Sequence, residues 1–270
     1  MTILVVLLGM AISHLVFPVA RLRHFDGLLK PVHWTRRRYS EPAWAVAAAV
    51  VLTALLLAWA LSAAAEGLLG ALGWFLMALA VFVYTLGPRD LDRDVQALLI
   101  GGNEPRYLKA RRIMRLHSDA GAAEATASVL RAAEARWFGI LFWFVLLGIP
   151  GALLYRLTRI SLHEPGLRPA QAGYLLRLRV VLDWPVLVLM LSSAALVGDF
   201  DSVRRAWGHY RGGSSAWRLD SEVLDKVAAA MIEPQDAFEQ GVRNGHQLAR
   251  RMLLLWLVVL SLLLILGWLA

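Results

Sequence analysis

Few side chains in this sequence could do chemistry, and most of them border apolar runs. In "LDWPVLVLML", Asp183 precedes an apolar run and Pro185 follows two residues later. That spacing reads as an N-cap with proline in a first helical turn, where its missing N–H costs nothing. The same carboxylate at the mouth of a membrane cavity could hold a metal or a cationic group. Ser13 and His14 lie inside the first apolar run, where a polar pair either fixes helix packing or serves a substrate or proton. Asp90, Asp92 and Asp94 resemble the start of a calcium loop but lack its glycine and terminal glutamate, so they read as acids opening a helix against its macrodipole. Arg106, Lys109, Arg112 and Arg115 are spaced to share one helix side, suited to a membrane surface or an anionic ligand. "GHYRGGSSAW" (Gly208 to Trp217) could cradle phosphate, yet no Gly-Lys-Ser/Thr sequence accompanies it, and a plain turn explains it. The seven histidines show no zinc spacing, and zero cysteines exclude disulfides, thiolate metal sites and a cysteine nucleophile.

The elements that must position these residues belong in a bilayer. Of 270 residues 59% are hydrophobic and only 18% charged, outside the range of a soluble chain this long. Four runs have the length of a transmembrane helix: Ile3 to Ala20, Ala43 to Ala65, Leu68 to Leu86 and Met252 to Ala270. The first lacks a basic n-region and reads as a permanent span rather than a signal. Two more segments are embedded, either spanning or re-entrant. Trp137 to Tyr155 is interrupted at Gly148, Pro150 and Gly151, a structural kink, and Trp184 to Val197 is short. Continuous rather than alternating apolar runs exclude a membrane β-barrel. The fold class is therefore all-α: a polytopic helical membrane protein with helical cytoplasmic loops.

The formal charge of +8 is unevenly spread. Six of 28 Lys and Arg fall in 21–42, nine in 88–136, five in 156–183 and eight in 199–251. Under the positive-inside rule, loops 21–42, 88–136 and 199–251 are cytoplasmic. Loop 156–183 obeys the rule only if both ambiguous segments dip in and return, which implies a protein-lined cavity. The basic residues suit anionic lipid headgroups. No nucleic-acid motif or aromatic platform accompanies them, so no nucleic-acid partner is expected.

This divides the chain into three N-terminal spans with a basic loop (1–87), a cytoplasmic helical subdomain (88–136), an embedded core (137–198), a cytoplasmic helical loop (199–251) and a last span (252–270). Ser40-Glu41-Pro42 reads as the start of the second span.

"VYTLGPRDL" (Val83 to Leu91), "ILFWFVLLGIPGALLYRL" (Ile140 to Leu157), "LDW" (Leu182 to Trp184) and "ALVGDF" (Ala195 to Phe200) follow one another in an order and separation that resembles the AmpE family. Those bacterial inner-membrane proteins are associated with β-lactamase induction. AmpE is in turn similar to the CobD/CbiB membrane proteins of cobalamin synthesis, which join cobyric acid to an aminopropanol-type side chain. The Phe142-Trp143 and Pro150-Gly151-Ala152 portions match that second pattern, while Arg131 and Ala135 stand where it has an acid and an aspartate, and "LTRISLHEP" replaces its polar tail.

The AmpE resemblance implies a non-catalytic regulator or sensor in the bacterial inner membrane, partnered by the anionic bilayer and by an envelope or cell-wall signalling protein. Its ligand site would comprise Asp183, Arg156, Arg177, Arg179 and Trp143, with no catalytic residue, metal or cofactor. The alternative is a CobD/CbiB-like amide-forming enzyme using nucleotide and Mg²⁺.

Overall fold

The structure is a computed structural model that describes residues 2–15, 27–38, 42–86, 90–102, 104–213, 221–233 and 235–266. Ser40, Glu41, residues 214–220 of the Gly208 loop, and the side chains of Ser13 and His14 lie outside the described residues. The elements run α1 (Thr2–Leu15), α2 (Lys30–Arg38), α3 (Ala45–Thr85), α4 (Leu91–Ile100), α5 (Pro105–Ile113), α6 (Ala122–Ala133), a π turn (Glu134–Phe138), α7 (Gly139–Leu147), α8 (Ile149–Ser161), α9 (Pro169–Val197), α10 (Phe200–Gly213), α11 (Glu222–Met231) and α12 (Phe238–Ile265). No strand occurs among the described residues.

Three helical stretches are long and apolar enough to cross a membrane: Ala45–Ala65, Pro169–Val197 and Phe238–Ile265. Their outer faces remain apolar. Leu56 is 64% and Trp59 72% exposed, a surface that hydrocarbon rather than water would cover. Thr2–Ile12 and Gly70–Thr85 are apolar but shorter. Helix α3 runs from Ala45 to Thr85 and joins the two spans expected there, while Gly70, inside the second of them, has a φ of 57° that interrupts regular α geometry.

The chain forms two compact units, Met1–Pro88 with Gly139–Leu182 and Leu263–Ala270, and Arg89–Phe138 with Asp183–Leu262. In the first, α3 packs against α1, α2 and α8. Helix α8 folds back on α7 at Gly148, whose φ of 67° suits glycine. The fold-back is tight, because the fully buried Tyr155 ring lies where a Cβ on Gly139 would stand, 2.0 Å away. A Cβ on Gly151 would meet the Trp143 carbonyl oxygen at 2.2 Å. Pro150 lies in the first turn of α8 and frees no helical carbonyl. The expected kink in one helix is therefore a turn between two. Nine and thirteen residues give about 14 and 20 Å, so neither helix alone crosses a core of about 30 Å.

In the second unit, α12 runs parallel to α6 and the π turn. Gly241 meets Ala122, Gly245 meets Thr126 and Val129, and the Trp256 ring meets Phe138 edge-on with centroids 5.0 Å apart. Gly241 and Gly245 form a small-xxx-small face. Such faces matter in lipid, where apolar surface gains little from helix contact and close backbone approach supplies the attraction. The Thr126 hydroxyl donates to the Gly241 carbonyl at 2.8 Å across this seam. The last part of α9 runs antiparallel to α12, with Trp256 Nε1 donating to Ser193 Oγ at 2.7 Å and Gly198 beside Leu248.

The short segment expected at Trp184 to Val197 is the second half of a 29-residue helix. Asp183 is consequently not an N-cap. It lies mid-helix and is 3% exposed, with Pro185 also inside the helix. Proline survives there because neighbouring groups can satisfy the carbonyl it frees.

Candidate functional site: a charged belt at the π turn

Helix α4 begins as its acidic run anticipates. The Asp90 side chain caps it, accepting from Asp92 N–H at 3.1 Å, and Asp92 and Asp94 occupy the first turn. Asp94 then does something a macrodipole does not require. It is fully buried and accepts from Arg136 Nη1 at 2.8 Å, the arginine side chain being only 11% exposed. A buried carboxylate needs such a charge-assisted partner, since desolvation otherwise drives it neutral. Asp92 Oδ1 lies 2.5 Å from His246 Nε2 on α12, and both side chains are largely buried. Arg131 on α6 pairs with Asp225 on α11. Glu134, within the π turn, is also fully buried.

Seven charged or titratable side chains from five elements thus form a belt around the π turn. Arg131, Glu134 and Arg136 lie within about 8 Å along one helix axis. π turns recur at functional sites, because the wider turn re-aims side chains relative to a regular helix. Chemically the belt offers paired ions and one carboxylate–imidazole couple. Among the described residues no group of three His, Asp or Glu side chains gathers as a metal site. Asp94 and Asp225 each face an arginine and Asp92 faces a histidine, so these carboxylates do not converge on a resident Mg²⁺.

The residues expected to form a ligand site lie on three helices, α7, α8 and α9. Arg156 is buried on α8, whereas Arg177 is exposed on α9 with its guanidinium 5.2 Å from the Tyr174 ring centroid. Arg179 is half-buried on α9. Trp143 donates its indole N–H to the Leu182 carbonyl at 2.9 Å, pinning α7 to α9 near Pro185. These four belong to the first unit and Asp183 to the second. Arg106, Lys109 and Arg112 are exposed on α5, whereas Arg115 is exposed beyond the end of that helix with a φ of 54°, so the expected four-residue helix side holds only three.

Sequence reading missed the belt. One signal was present: Leu91, Asp94, Val95 and Leu98 follow the spacing of one apolar helix face, with an acid at a core position. Asp92 and His246 are 154 residues apart, and no local pattern joins them.

No family model matches the chain, and no solved structure matches it. The cobalamin biosynthesis protein CobD of Stutzerimonas stutzeri (strain A1501) is 30% identical over 199 residues, a match covering 68% of this chain and 61% of that one. The chain therefore spans less than two thirds of the relative's length. The resemblance to AmpE rests on the short motifs alone, and what the comparison establishes is distant homology to CobD.

Proposed function

We propose that the chain is a multi-pass inner-membrane protein of the CobD type that serves cobalamin biosynthesis. The observation that carries this is the 30% identity over 199 residues. The polar belt supports it too, since it places buried carboxylates, a histidine and arginines where the membrane-embedded helices begin. In this reading the belt is the surface that receives the carboxylate-bearing part of an amphiphilic substrate. The amide-forming step that the resemblance implies requires nucleotide and Mg²⁺, whereas Asp92, Asp94 and Asp225 of the belt are paired with basic side chains.

That pairing favours a second reading: an AmpE-like regulator that keeps the scaffold without the condensation. Arg131 stands where the enzyme pattern has an acid, and its partner is Asp225. A cobalamin-synthesis mutant lacking its own CobD separates the two. Restored growth without added cobalamin is the expected result. Failure to rescue, with membrane expression verified by immunoblot, removes the biosynthetic reading. A changed β-lactamase induction profile on deletion then identifies the regulator.

A further inference from the structure

We propose that the cleft between α2 and α3 is a binding site for one acyl chain of an anionic phospholipid, an inference that rests on the membrane reading above. A cavity of about 400 Å³ lies against Leu28, Trp34, Ala49, Leu52 and Leu57. A second of about 280 Å³ continues from Leu28 and Leu57 to Leu61, Tyr84 and Leu153. Both are lined almost wholly by apolar atoms, and together they are sized for a ligand rather than a solvent molecule.

Length selects the occupant. From Ala49 to Leu61 the groove follows one face of α3 for twelve residues, about 18 Å at the helical rise. One leaflet of hydrocarbon is about 15 Å thick, so a single chain entering from one membrane surface fills the groove. Charge selects the headgroup. Lys30 and Arg37 on α2 flank Trp34 at the groove's α2 end, both exposed. Trp34 is 61% exposed, and tryptophan settles at the headgroup level. Arg36 is committed elsewhere, its Nη1 donating to the Pro165 carbonyl at 2.6 Å, which fixes α2 in place as one rim. A zwitterionic lipid would satisfy the groove but not the rim.

The test uses the full chain in bilayer discs of equal phosphatidylglycerol and phosphatidylcholine, extracted gently and read by native mass spectrometry. One retained phosphatidylglycerol per chain is expected. Ala49→Phe, which fills the groove, should lower retention about tenfold, while Leu55→Phe, off the groove on the same helix, should leave it unchanged. Lys30→Glu with Arg37→Glu should abolish the phosphatidylglycerol preference while a chain stays bound, at a loss of about tenfold or more in selectivity. Equal retention of both lipids by the wild type overturns the proposal, as does retention that Ala49→Phe does not alter. A disulfide-linked dimer formed by Leu52→Cys in lipid would show that a second copy covers the groove instead. Monodisperse behaviour in detergent-free buffer would sink the membrane reading itself.

Discussion

Arg136 carries the electrostatic load of the belt, because the Asp94 carboxylate beside it is fully buried. Replacing it with alanine leaves that charge without its closest counter-ion, and about 3–5 kcal/mol of stability should be lost. Thermal unfolding in detergent reads this directly. The double variant Asp94→Leu, Arg136→Met should lose clearly less, since removing both charges restores apolar packing. Asp199 is a different case. It caps α10 from an exposed position, and its pKa is lowered chiefly by the hydrogen bond from Ser202, with backbone N–H groups adding to the effect. A depressed carboxylate stabilises the fold above its unfolded pKa, near 3.9, and that contribution is lost as pH falls through the folded value. The thermal stability of Asp199→Asn should therefore fall less than that of the wild type between neutral pH and pH about 3. Equal slopes would refute the assignment. At this scale the sequence was only partly legible. The cap at Asp90 followed from local rules, but Asp183 was misread because local rules cannot show whether the arginine-bearing residues before it are helical.

The elements were easier to foresee than their ends. Apolar runs marked α1, both parts of α3 and the outer half of α12 from composition alone. Helix α9 was truncated in the reading because Arg177, Arg179 and Asp183 break the hydropathy window, although helical geometry continues through them. Long basic side chains accommodate this by extending their heads toward water. The seam between α6 and α12 was not foreseen, although the Gly241-xxx-Gly245 spacing is its signal in the sequence. A Cβ at Gly241 would stand 2.2 Å from the Ala122 carbonyl oxygen, whereas one at Gly208 in α10 meets nothing within 4 Å. Gly241→Ala should thus cost about 1–3 kcal/mol through forced separation of two backbones. Gly208→Ala should add about 0.5–1 kcal/mol by removing helical glycine. Both shifts are measurable as midpoint changes in one denaturation series, and like signs would contradict the packing described.

For the whole molecule, the absence of cysteine makes single-cysteine topology mapping clean. Arg168 lies in the turn between α8 and α9, and the preceding residues of that turn are joined to α2 by His33 with Glu164, at 2.8 Å, and by Arg36 with Pro165. Since α2 belongs to a basic loop, a cysteine at position 168 should react with membrane-impermeant maleimide only after the cytoplasmic face is opened. Labelling from the outer face would reverse the orientation of this turn. Another property of the second unit concerns tempo. Between Thr126 and Phe138 the chain takes twelve steps, while its companion takes eleven between Gly245 and Trp256. The surplus step is absorbed at Glu134–Phe138, where five residues wind in the wider form. Rewinding these five residues as regular α-helix with none removed would swing the Phe138 ring by about 100°, away from its indole neighbour, whereas deleting one of them would leave eleven steps on each helix and the ring pair intact. The wider turn lets one companion carry an extra beat without falling out of phase with the other.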